Sequence, residues 1–187
     1  KYNKEELYMG DLRDKGDKFT DDNIAKDYNL DGDYKNKANF HWFTSSEEYA
    51  TEYATKQLSE SRGDIVKPVI TTIKTKDLNI LDIEGMSISQ QAKFMGSLYD
   101  YGMKDMMYKQ EKLSGITKDL SSSELDKILG YKAGSTIFGN GQSFSDFDNG
   151  VIFKKWLKDN GFDGYRFKMY KYGDEIGLIS KDDFEIK

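Results

Sequence analysis

The stretch NFHWFTSSEEYATEYA, residues 39–54, sets an aromatic run and the chain's one histidine, His41, against a Thr-Ser-Ser step. In an extended strand Trp42 and Phe43 point to opposite faces. On a helix that follows, Tyr49 and Tyr53 share a face, with Ala50 and Ala54 beside them. Alanines let such a helix lie close to a sheet. Trp42 and Tyr53 then form two walls of an aromatic slot, and the ring quadrupoles suit a flat, cationic heteroaromatic ligand. The same spacing suits an aromatic core between helix and sheet, and both readings stand at this point. Farther on, Asp174 closes a KYGD turn and, with Glu175, opens a strand. A carboxylate that begins a strand after a tight turn reads, from sequence alone, as a solvated surface group. Thr44 and Ser45 are placed to cap the helix and to offer hydroxyls to a ligand.

The elements that must hold these residues follow from pattern. EELYMG (5–10) reads as a first strand and NFHWFT (39–44) as a second, with a polar loop over 11–37 between them and a helical turn near 23–27. Ser45 with Glu48 makes a capping box, which starts a helix from about Ser46 to Leu58. VKPVITTIKTKDLNILDI (66–83) alternates like one or two strands, with Pro68 at a start or an edge. Residues 86–112 read as a long amphipathic helix or two, whose Met and Tyr stripe over 94–108 belongs to the core. A helix at 122–131, a loop at 134–149 and a helix at 148–161 follow. A hairpin of strands 163–170 and 174–180 and a final FEIK complete an α+β pattern, read as one domain over 1–187. Asp163-Gly164 reads as a turn, with the glycine supplying positive φ.

The totals exclude several classes. The 187 residues carry a net charge of -5, with 33% charged and 37% hydrophobic residues; mean hydropathy is -0.77. The acidic balance argues against a nucleic-acid footprint or an anionic lipid surface. With no cysteine and one histidine, disulfides, thiolate sites and His-rich zinc sites are excluded. No apolar run reaches the roughly 18 residues of a membrane span, and no signal peptide is visible. The start at Lys1 reads as a trimmed chain or a segment of a longer one. The Asp-rich stretch 27–37 lacks the ordered spacing and closing Glu of a calcium loop, so no metal is expected. RGD at 62–64 reads as a turn.

WFTSSEEYATEYA resembles the central motif of ADP-ribosyltransferase folds, on the poly(ADP-ribose) polymerase and diphtheria-toxin side of the superfamily, and of related domains in phage and mobile-element polyvalent proteins. LYMGD (7–11) resembles the family's first strand, KPVITTIKTKDLNILDIEG (67–85) its PVYLNIKNPLVLD strand, and WLKDNGFDGYRFKMYKYGDEIGLISKDDFEIK (156–187) its C-terminal segment. Residues 86–147 match nothing in it. The resemblance implies ADP-ribosyltransferase-like split antiparallel sheets with flanking helices. It implies NAD+ as substrate and transfer of ADP-ribose to an unidentified macromolecular acceptor, with protein the expected class and water or nucleic acid left open, in a bacterial host's cytoplasm or from a phage virion. Carried over, it makes Glu175 the catalytic carboxylate. It places Tyr8, Met9, Gly10, Trp42, Phe43, Thr44, Ser45 and Tyr53 around the dinucleotide, with Trp42 and Tyr53 holding nicotinamide. Arg13 would reach the pyrophosphate.

Departures accompany it. Met9 stands where the family has a histidine, and cannot donate a hydrogen bond. Trp42 stands for a tyrosine. His41 is one residue off the strand face that would rescue the missing imidazole. Gly173, two before Glu175, stands where arginine-specific toxins carry a second glutamate. Two other readings follow: the same fold without catalysis, as a binding or virion module, and an unrelated α+β interaction domain whose aromatics are all core.

Overall fold

Strands from the two ends of the chain meet in one small sheet. The computed structural model describes residues 6–11, 40–60, 69–75, 77–139, 141, 143–169 and 173–186. Arg13, the Asp-rich stretch 27–37, the 62–64 turn and Pro68 lie outside them. β1 (Glu6–Asp11) pairs antiparallel with β3 (Val69–Thr75), and β3 pairs antiparallel with β7 (Phe184–Ile186). A second sheet runs in the order β2 (His41–Phe43), β6 (Gly173–Leu178), β5 (Gly164–Met169) and β4 (Ile80–Asp82). The chain is therefore α+β with two sheets. The all-antiparallel expectation needs correction, because β4 and β5 run parallel. The stretch read as one or two strands divides between the two sheets as β3 and β4.

Helix α1 (Glu47–Glu60) lies on β1, and Gly10 is the reason it can. A Cβ there would stand 1.8 Å from the Ala50 carbonyl oxygen and 3.2 Å from the Ala54 Cβ. Helix α2 (Ile88–Asp100) is capped by Ser87 and Gln90 in a reciprocal box. Of the one or two helices expected over 86–112, the first stops at Asp100, and a 3-10 turn at Gln110–Leu113 stands in place of the rest. The chain reverses at Gly102, where φ is 102°, and buried Gln110 accounts for the fold-back. Its side-chain amide donates to the Met95 and Met103 carbonyls and accepts from the Met106 amide. Of the stripe expected in the core, Met95 and Met103 are fully buried, while Tyr108 is 69% exposed. Helix α3 spans Ser122–Leu129 and helix α5 Val151–Asp159. The loop expected over 134–149 contains α4 (Ser143–Asp146) and a 3-10 turn at Phe147–Gly150, because Phe144 is drawn fully into the core.

Two apolar clusters hold these layers. The larger lies between the second sheet and the helices, and is rich in edge-on aromatics such as Phe40–Tyr165 (5.1 Å) and Phe153–Tyr165 (4.8 Å). The smaller joins the sheets through Leu7, Phe43, Ile73, Leu78, Ile176, Leu178 and Phe184. Gly164 needs correction in its role: it is not at positive φ, and a Cβ would stand 2.2 Å from the Gly177 carbonyl, so close strand approach demands the glycine. Asp163 does form the turn, accepting from the Asn79 amide at 2.6 Å. No described helix is long and apolar enough to cross a membrane.

Candidate active site

The two sheets touch where β2 ends. Tyr8 and Thr44 exchange backbone hydrogen bonds of 2.9 and 2.8 Å, an antiparallel bridge between β1 and the residue after β2. The chain then turns into α1. Ser46 caps that helix, accepting the Tyr49 amide at 3.1 Å, and the Thr44 hydroxyl accepts the Ser46 amide at 3.2 Å. The cap expected at Ser45, with Glu48 as its box partner, thus falls instead on Ser46, without a reciprocal box. The reason lies across the corner: Ser45 is already engaged, donating its hydroxyl and its amide to the same oxygen of Asp174, the amide at 3.2 Å.

Strand β6 carries two adjacent carboxylates to opposite faces. Asp174 is buried, at 8% exposure, and its second oxygen lies 3.4 Å from Arg166, which also meets Asp82 at 2.7 Å. Burial alone would raise its pKa. The Ser45 hydrogen bonds and the Arg166 charge outweigh that and hold it below the usual carboxylate range. Glu175, on the other face, accepts the Tyr49 hydroxyl at 2.8 Å. Its pKa is pushed up by burial, which the Tyr49 hydrogen bond only partly offsets. Tyr49 itself is held well above the ordinary phenol range by burial and by that carboxylate, so it stays a donor at any working pH.

Trp42 lies opposite Gly177, on the Glu175 face, and Glu175 stands two residues, about 7 Å, from Gly177 along β6. Its ring meets Phe167 edge-on at 5.8 Å and Tyr165 at 5.7 Å, and Phe167 is the cross-strand partner of Glu175. Tyr53, one turn beyond Tyr49, is 47% exposed. Trp42 and Tyr53 make no ring contact with each other among the described residues. Other expected site residues are placed elsewhere. Phe43 is buried in the small cluster against Phe184 at 5.0 Å, so its ring belongs to the core. Met9 packs against that same cluster, on the far side of β1 from Tyr8 and Gly10. The Tyr8 hydroxyl donates to Glu6 at 3.5 Å. Gly10 and buried Thr44 serve the α1 seat and the corner. His41 is buried, edge-on to Phe184 at 5.6 Å, on the face away from Trp42.

Tyr49, Arg166 and Asp82 are the members of this arrangement that sequence reasoning did not select. Tyr49 stands four residues before Tyr53, so helical spacing had put it on the right face, but nothing local revealed that β6 would arrive beneath it. No described group of three or more acidic or histidine side chains is arranged to hold a metal. Together the described groups make a half-buried carboxylate, with one oxygen held by a phenol and an aromatic wall beside it. Such a site can stabilise a cation forming close to the wall. No protein-family model, no curated protein and no solved structure matches the chain.

Proposed function

We propose that this protein is an NAD+-dependent mono-ADP-ribosyltransferase, with Glu175 as the catalytic carboxylate. The observation that carries the reading is the placement of Glu175 on the same sheet face as Trp42, with its carboxylate partly buried and held by Tyr49. Two sheets that part beside a single Tyr8–Thr44 bridge agree with the split-sheet arrangement the sequence resemblance implies. In this reading Trp42 and Tyr53 hold nicotinamide. Its bond to the ribose breaks through a state with positive charge on the sugar, and Glu175 accepts a hydrogen bond from a ribose hydroxyl to stabilise that charge. The acceptor's nucleophile takes the anomeric carbon, its proton leaves with base assistance, and neutral nicotinamide departs. The acceptor we assign is a protein. The setting, from the resemblance alone, is a phage or mobile element acting in a bacterial host's cytoplasm or from the virion.

The test is nicotinamide release from NAD+ by the purified chain, with Glu175→Gln in parallel and cell extract as acceptor source. Release that falls at least a hundredfold in the variant supports the reading. Release that persists in the variant removes Glu175 from the chemistry. One observation favours a second reading, a binding or virion module of the same fold. Met9 sits in the inter-sheet core and offers no hydrogen bond where the family has its histidine. NAD+ binding without release in either protein would select it.

A further inference from the structure

Tyr49 approaches Glu175 from a fixed direction. It is the third residue of α1, and its own amide is tied down by the Ser46 cap. The corner before it is clamped to Asp174 through Ser45, and the helix is seated on β1 at Gly10. The corner and the first turn of α1 therefore grip consecutive residues of β6: Ser45 holds Asp174 and Tyr49 holds Glu175. Among the described residues, the remaining surroundings of Glu175 hold no cation. Phe167 and Tyr165 face it from β5 and Trp42 from β2, while Asp174 and Arg166 occupy the opposite face. Among the described residues no lysine or arginine pairs with it.

We propose that Tyr49 is the positioning residue of Glu175: its hydroxyl holds one carboxylate oxygen, Oε1, so that Oε2 alone is presented to the ribose of the substrate. This rests on the transferase reading for its consequence in turnover, but not for its effect on the carboxyl group. A phenol that donates to a carboxylate stabilises the charged form. With burial working the other way and no described cation at hand, removal of that one donor moves Glu175 toward its neutral form, which is the inactive one in the transferase reading.

The experiment compares the wild type with Tyr49→Phe and with 3-fluorotyrosine placed at position 49, a stronger donor of nearly the same shape. Two readouts are taken: nicotinamide release against pH, and the carbon-13 titration of the Glu175 side-chain carboxyl in the absence of NAD+. In Tyr49→Phe the acid limb of kcat moves up by roughly one pH unit. About tenfold of rate is lost below that limb and little above it, with KM for NAD+ unchanged within about twofold. The fluorotyrosine protein moves the other way. The carboxyl titration shifts in step with both. A loss of rate equal at every pH, or a carboxyl titration identical in all three proteins, overturns the positioning role. If the wild type releases no nicotinamide, the transferase reading fails, and the carboxyl titration still decides for or against Tyr49 on its own.

Discussion

Asp174 and Glu175 are consecutive in β6, yet their carboxyl groups are driven in opposite directions. Asp174 faces Ser45 and Arg166, which hold it in the charged form despite its burial. Glu175 faces rings and one phenol, and its burial is left uncompensated by any described cation. The alternation of a single strand thus sorts one acid into a structural clamp and the other into a half-buried position beside an aromatic wall.

Asp174→Asn tests the clamp. The folded pKa of Asp174 is depressed, so its charge stabilises the fold above the unfolded value near pH 4 and the benefit disappears as pH falls through the folded pKa. The variant should lose about 2 kcal/mol at pH 7, and its deficit should shrink steadily as pH is lowered below about 4 toward the folded pKa. Urea unfolding across that range measures it; an equal loss throughout would mean that the charge is irrelevant and packing alone matters.

Glu175→Gln should go the other way. The raised folded pKa means that burial of the carboxylate weakens the fold as pH rises past the unfolded value, near 4.3. The glutamine keeps an oxygen for Tyr49 without the charge. Thermal melts at pH 7 should show the variant above the wild type, and the gap should close below about pH 4. Stability gained at neutral pH together with lost turnover is the usual exchange at a reactive residue.

Gly10→Ala addresses the seat of α1. The new methyl would stand 1.8 Å from a backbone oxygen of Ala50, which no rotamer change can relieve. A loss on the order of 3 kcal/mol is expected. The chemical shift of the Glu175 carboxyl should change as well, because the lifted helix carries Tyr49 away. A well-folded Gly10→Ala with an unchanged Glu175 signal would contradict this packing.

Tyr53→Ala separates binding from folding. With its ring 47% exposed, truncation should alter the unfolding free energy by no more than about 0.5 kcal/mol. In the transferase reading it should weaken NAD+ binding about fivefold, through the lost stacking face. Calorimetric titration with NAD+ is the measurement; unaltered affinity would take Tyr53 out of the slot.

Much of the framework was legible because it depends on local periodicity. Strands with β-branched or aromatic alternation, and the helix after the Thr-Ser-Ser step, stand within a residue or two of where spacing put them. What failed was decided across the chain. Ser45 offers a cap by its own neighbourhood, but Asp174, far away in sequence, claims its hydroxyl and Ser46 takes the role. The helical stretch expected through residue 112 ends at Asp100, because Gln110 stabilises a reversal that no periodicity reports. Glu175 and Trp42 could be singled out by residue type and order. Tyr49 could not be tied to Glu175, because the contact spans 126 positions.

That span has a consequence for synthesis. His41 pairs with Leu178, and β3 pairs with the final strand at Phe184–Ile186. The corner made early in translation therefore waits for β6 to leave the ribosome before either carboxylate can dock on it. Closing such long loops late makes for slow folding. In the transferase reading, a nascent chain halted before residue 173 already holds Trp42, Tyr165 and Phe167 but lacks Glu175, so it carries the aromatic wall without the acid and has no turnover to restrain during its own production.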